Sequence, residues 1–172
     1  METNSRRKII FLDLDGVLNT ARWHEQAKGN QLKDDYGYTF DPTAVSNLAD
    51  IIEKTGADIV ISSSWKFMGL SKMQKMWKDR RLPGKVVGLT PNSVSDEFLL
   101  HADLDNMDFM AIRGQEIKEW LMQNSGVTHY AILDDMNDIL QEQESHFIWI
   151  DPVVGITTEN VAQTVMTLNC VN

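Results

Sequence analysis

Apolar residues recur along the chain at two spacings, and the alternation between them predicts the fold. Ile9 to Leu12 is apolar at every position, which marks a strand buried on both faces of a parallel sheet. Asp41-Pro42 then offers a helix N-cap with proline at the first helical position. Val45, Leu48, Ala49 and Ile52 follow at helical spacing, and Gly56 supplies the stop. Asp58 to Ser62 reads as a second strand, and a strand–helix–strand crossover of this kind makes the two strands parallel.

Leu70 to Trp77 has helical spacing, with Met73, Met76 and Trp77 forming a core stripe. Pro83-Gly84 is a turn, and Val86 to Leu89 is a short third strand closed by Thr90-Pro91. Arg113-Gly114 precedes a helix carrying Ile117, Trp120 and Leu121, ended by Asn124-Ser125-Gly126. His129 to Leu133 and Phe147 to Ile150 read as the fourth and fifth strands. A last helix starts near Thr157 or Thr158 and bears Val161, Val165 and Leu168. Five strands separated by helices, with no repeat and no linker, predict an α/β fold. It is a Rossmann-like doubly wound sheet in one domain over residues 1–172.

Two segments lack this periodicity. Thr20 to Phe40 is polar and dotted with aromatics, too long for a structureless connection, and reads as a flap or small cap. His24 within it reads as an exposed loop histidine with no assigned role. The stretch from Thr90 to Ile112 is acidic and poorly periodic, and reads as a surface loop or a second small insert.

Candidate chemistry sits at the strand ends. Asp13 and Asp15 close the first strand, where open α/β sheets place their ligands, and Gly16 lets the backbone turn away. Buried carboxylates are costly alone, and a divalent cation is a common remedy. The second strand ends in Ser62-Ser63-Ser64, whose hydroxyls and N–H groups suit a phosphate. Asp134 and Asp135 end the fourth strand as a second acidic pair, with Asn137 and Asp138 after them. Such crowding raises carboxylate pKa values unless a cation intervenes.

Composition narrows the class. The chain has 172 residues, 42% of them hydrophobic and 24% charged, as in ordinary globular proteins. No apolar run reaches membrane-spanning length, and Met1 to Lys8 lacks the apolar core of a signal peptide. Cys170 is the single cysteine, which excludes an internal disulfide framework and suggests a reducing, cytoplasmic compartment. The net charge of −9 argues against a general nucleic-acid binder. From Asp96 to Asp151 the only bases are Arg113 and Lys118, whereas Lys66 to Lys85 is basic with Asp79 as the only acid. The basic stretch reads either as a solvated face or as a weak contact for a nucleic-acid backbone.

The hydrophobic strand followed by Asp-Leu-Asp-Gly-Val-Leu resembles motif I of the haloacid-dehalogenase-like (HAD) hydrolases. Ser62 resembles motif II, Asp134-Asp135 resembles motif IV, and motif III would be either Arg113 or Lys118. In their wording, Phe-Leu-Asp-Leu-Asp-Gly-Val-Leu-Asn, Ser-Ser-Ser-Trp-Lys, Arg-Gly-Gln-Glu-Ile-Lys-Glu-Trp-Leu and Ile-Leu-Asp-Asp are similar to small HAD domains associated with RNA-repair proteins.

The resemblance implies the first and fourth strands side by side at the centre of the sheet, and a Mg²⁺-dependent phosphatase. Asp13 would be the nucleophile that forms an aspartyl-phosphate, and Asp15 the general acid and base. Ser62, Ser63, Arg113 and Lys118 would hold phosphate. The Asp13 carboxylate, the Asp15 main-chain carbonyl, Asp134 and Asp135 would hold Mg²⁺. It leaves the substrate open between nucleic-acid end phosphates, a nucleotide and a small metabolite. The competing reading is a HAD fold without activity, serving as an interaction module through its acidic surface. Oligomeric state is not encoded in any motif.

Overall fold

The computed structural model of the chain describes residues 7–28, 31–92 and 111–170. Five parallel strands form one sheet. They are β1 (Arg7–Leu12), β4 (Asp58–Ile61), β5 (Val86–Leu89), β6 (Val127–Asp134) and β7 (Phe147–Trp149), in the order β5-β4-β1-β6-β7. The first strand is therefore central, with β6 beside it, as the family resemblance implies. The α/β doubly wound fold is the observed one.

Alternation along β1 divides the core. Ile10 and Leu12 face a large cluster with Leu48 and Ile51 of α2 (Pro42–Thr55), Met73, Met76 and Trp77 of α3 (Leu70–Asp79), and Val161 and Leu168 of α5 (Thr158–Asn169). Ile9 and Phe11 face a smaller cluster with Ile117 and Trp120 of α4 (Ile112–Gln123). Phe11 meets Trp120 edge-on at 5.4 Å between centroids. Burial on both faces is why the strand reads as an unbroken apolar run.

Helix α2 begins and ends where the sequence places it. The Asp41 side chain accepts from Thr43 N, Pro42 follows, and Gly56 takes the left-handed conformation. Its buried face is rotated from the expected one and comprises Ala44, Asn47, Leu48, Ile51 and Thr55. Asn47 joins that face because its amide donates to the Ile156 carbonyl at 2.6 Å. Helix α4 starts one residue ahead of Arg113, so Arg113-Gly114 lies in its first turn and not before it.

The segment after β1 is structured. It holds the short helix α1 (Ala21–Gln26) and a two-stranded antiparallel ribbon of β2 (Lys33–Asp34) and β3 (Gly37–Tyr38). Thr90 to Asn92 leave the end of β5, and the remainder of the expected second insert, 93–110, lies outside the described residues. Among the described residues, no helix is long and apolar enough to cross a membrane.

Candidate active site

The sheet's hydrogen-bond ladder puts the candidate residues on one rim. Leu12 pairs with Ile61 on one side and Leu133 on the other. Beyond those pairs, Asp13 N donates to the Leu133 carbonyl and Ser62 N to the Leu12 carbonyl. Asp13 and Ser62 are thus the first residues past β1 and β4, and Asp134 is the last of the adjacent β6, all three fixed by register rather than by side-chain preference.

Carboxylate oxygens of Asp13, Asp134 and Asp135 all lie within 4.8 Å of one another. Asp134 is fully buried and Asp13 is 5% exposed. Arg113 spans the first two, with Nη1 3.0 Å from Asp13 Oδ2 and 2.6 Å from Asp134 Oδ2. The Leu14 N–H donates to Asp13 Oδ1 at 2.8 Å, and the Ser63 hydroxyl favours the charged form of the same carboxylate. Gly16 closes the turn with φ 75°, and a Cβ there would stand 2.6 Å from the Asp135 carboxyl. Only glycine lets the loop after β1 approach the second acidic pair so closely.

Burial raises the Asp13 carboxyl above its ordinary value, and the Arg113 charge opposes this. Asp134 is pushed up to about 7 from 3.8, mainly by burial, with Arg113 opposing and the Asp13 charge adding. One guanidinium does not balance three acids, and hard oxygen donors at this spacing fit a hard divalent cation.

A pH dependence follows. Between pH 3.8 and about 7 the folded protein holds a proton on Asp134 that the unfolded chain has released. Stability of the metal-free protein therefore falls as pH rises through that window. Melting temperatures taken in chelator from about pH 4 to about pH 8 are expected to decline, and Asp134→Asn should flatten the decline. An unchanged slope in that variant would assign the effect to other groups.

The other expected site residues divide clearly. Ser62 is 2% exposed, and its Oγ has no hydrogen-bond partner among the described residues. Ser63 is equally buried and caps the 3₁₀ turn Ser64–Met68 by accepting from Trp65 N. The Asp15 side chain is exposed and lies outside the three-acid group, its oxygens taken by Asn19 and Trp65. It could serve a metal only through its main-chain carbonyl. Lys118 is not brought to the rim but pairs with Glu142 at 3.0 Å on the surface.

The basic stretch also resolves into separate contacts. Lys66 turns inward and meets Glu116 of α4 at 2.6 Å, with the Pro91 carbonyl at 3.1 Å. Lys75 pairs with Asp79, and Arg80 forms a two-point fork with Asp34 of the ribbon. These pairs leave no continuous row of seven free cations.

Sequence reasoning missed the groups that hold the site. Asp138 Oδ2 accepts from Arg113 N at 3.4 Å, and the Asp138 carbonyl accepts from Gly114 N at 2.9 Å. It caps α4, whose own N-cap residue Ala111 offers no side-chain bond. A Cβ on Gly114 would stand 2.5 Å from Leu140 N, so the first turn of α4 is pressed against the loop after β6.

The model for the family described as "HAD domain in Swiss Army Knife RNA repair proteins" matches residues 9–161. No curated protein and no solved structure matches the chain.

Proposed function

The chain belongs to the family of HAD domains in Swiss Army Knife RNA repair proteins, and from that premise we propose that it is a Mg²⁺-dependent phosphatase acting through an aspartyl-phosphate on Asp13. The observation that carries this reading is the trio Asp13, Asp134 and Asp135, whose carboxylate oxygens lie within 4.8 Å of one another. Arg113 is inserted between Asp13 and Asp134.

A carboxylate oxygen of Asp13 attacks phosphorus, and the bond from phosphorus to the leaving oxygen breaks. Asp15, two residues on along the same turn, gives its proton to that leaving oxygen. Water then attacks the phosphorus of the aspartyl-phosphate and passes a proton to Asp15. The Asp13–phosphorus bond breaks, and inorganic phosphate leaves with the enzyme restored. Ser62, with a buried and unpartnered hydroxyl, donates to a phosphate oxygen. Ser63 holds the nucleophile as it holds the free Asp13. Arg113 favours the ionised form of Asp13 against the effect of burial and meets charge on the transferring group.

Asp13, Asp134, Asp135 and the Asp15 carbonyl would hold Mg²⁺, which when bound supplies positive charge that offsets the phosphate. Lys118 has no part in this scheme, because its ammonium is engaged with Glu142. The family's description directs attention to phosphorylated RNA ends; a nucleotide or a small metabolite would use the same chemistry.

The test is phosphate release from 5′- and 3′-phosphorylated oligonucleotides, nucleotides and simple phosphomonoesters, with Mg²⁺ or with chelator. Trapping of acid-quenched phosphoenzyme runs in parallel. Metal-dependent release with a trapped acyl phosphate is the expected result. Neither release nor trapping on any substrate, despite bound Mg²⁺, would overturn the reading.

A further inference from the structure

Contacts from the insert between β1 and α2 and from the turn after β4 converge on one side chain from two directions, and that side chain is Asp15. On one side, Asn19 Nδ2 donates to Asp15 Oδ1 at 2.7 Å. The Asn19 side-chain oxygen Oδ1 is in turn bonded to Nε2 of His24 in α1, and the His24 ring is stacked on Tyr38 of the ribbon at 4.4 Å. On the other side, Trp65 Nε1 donates to Asp15 Oδ2 at 3.0 Å. The Trp65 ring packs on Phe40 and lies beside the Arg80 guanidinium, 5.8 Å from its ring centroid. Arg80 is itself held by its two-point fork to Asp34, at 2.7 and 2.9 Å.

We infer that the insert, together with Trp65 and Arg80 that pack against it, is a frame that aims the Asp15 carboxyl: a His24–Asn19 arm fixes one oxygen and an Asp34–Arg80–Trp65 arm fixes the other. The inference rests on the phosphatase reading and adds positioning residues to it. Each arm ends in a single N–H, and a carboxylate oxygen has two lone-pair sites. One site on each oxygen is therefore left for a leaving oxygen or a water.

The Asn19 amide is useful only in one orientation, with nitrogen toward Asp15. A donor from His24 to its oxygen selects that orientation. Trp65 is a donor with no acceptor capacity, so its ring edge cannot be inverted. An exposed aspartate that sits free in a loop samples several rotamers. One with both oxygens fixed meets the substrate without first ordering itself, which is how positioning contributes to rate.

The frame predicts a loss confined to proton transfer. Trp65→Phe keeps the packing on Phe40 and Arg80 but removes the N–H. His24→Phe keeps the stack on Tyr38 but removes the donor to Asn19, and His24→Gln restores a donor of similar reach. An alkyl phosphate needs its leaving oxygen protonated, whereas nitrophenyl phosphate does not.

With Mg²⁺ present, Trp65→Phe and His24→Phe are expected to lower kcat on the alkyl phosphate by about 10- to 100-fold, with KM changed less than about 3-fold. The first burst of nitrophenolate should persist, and trapped phosphoenzyme should accumulate because water is poorly activated. His24→Gln should recover most of the loss. Equal losses on both substrates with a raised KM would make the insert a substrate-binding element and overturn the frame, as would unchanged kinetics. Wild-type protein that neither turns over nor traps phosphoenzyme would sink the phosphatase reading itself, and the frame with it. Turnover untouched by the variants sinks the frame alone.

Discussion

Asp13→Asn is expected to abolish phosphate release, by at least about 10³-fold, while the protein folds and binds phosphate at the same rim. Asparagine keeps the shape of the side chain and can still accept from Leu14 N, as Asp13 Oδ1 does at 2.8 Å. It lacks the negative oxygen that attacks phosphorus. Asp13 is buried and its carboxyl raised, with Arg113 opposing the rise. Removing that charge should therefore leave the metal-free fold as stable as before or more so. Loss of turnover with a retained or raised melting temperature separates a catalytic role from a structural one. Turnover within about 10-fold of wild type would exclude Asp13 as the nucleophile.

Arg113→Met has the largest expected effect on stability. Among the described residues, Arg113 is the one cation whose side chain reaches Asp13 or Asp134. Methionine occupies a similar volume and brings no charge, so the change leaves two buried acids facing each other. Stripping one partner from a buried ion pair costs about 3 kcal/mol or more. The size of the loss should depend on pH in a defined direction. Protonation of Asp134, already pushed up to about 7, relieves the repulsion, so the loss should shrink as pH falls below that value.

Mg²⁺ should recover part of the loss, because a ligand that binds only the folded state stabilises it by mass action. Urea unfolding with and without Mg²⁺, at about pH 5 and about pH 8, measures all of this. A penalty independent of pH and of metal would place the contribution of Arg113 in packing alone.

The sequence was most informative where a strand register decides position. Four consecutive apolar residues ending in Asp13, and Ala131 to Leu133 ending in Asp134, are enough to place both acids. In a parallel sheet the paired Leu12 and Leu133 carry their next residues to the same rim. The choice between Arg113 and Lys118 depended on helical phase, which the sequence does not state. Once α4 starts at Ile112, Arg113 lies in the first turn at the rim. Five residues further on, Lys118 is turned about 140° round the axis and is about 7.5 Å along it, where Glu142 meets it.

The supporting groups were harder to see because each acts across a tertiary contact. Asp138 caps a helix to which it does not belong, and Glu116 answers a lysine fifty residues earlier in the chain. Trp65 follows three serines with no role marked in the sequence, yet its indole nitrogen serves Asp15. The insert itself has no long helical or strand period because described side chains such as Arg22, Trp23, His24 and Asp34 are spent on specific contacts rather than on one buried face. The basic stretch from Lys66 to Lys85 is contiguous in chain order, but its members have different partners in the fold. Folding sends Lys66 inward to Glu116 and Arg80 to Asp34.

The central place of β1 has a consequence for how the chain is made. A growing polypeptide emerges with Ile9 to Leu12 early, and β4 can cover one edge of that strand soon after. The other edge has to wait for β6, whose Leu133 partners Leu12 from far along the chain. Until then an apolar strand with unpaired N–H and C=O groups is open to other chains, and closing so long a loop is slow. Fragments that stop before Val127 should therefore aggregate, and chaperone capture should be strongest for those lengths. Asp13 and Asp134 meet only when this last edge closes, so the three-acid group exists only in chains whose β6 has docked on β1.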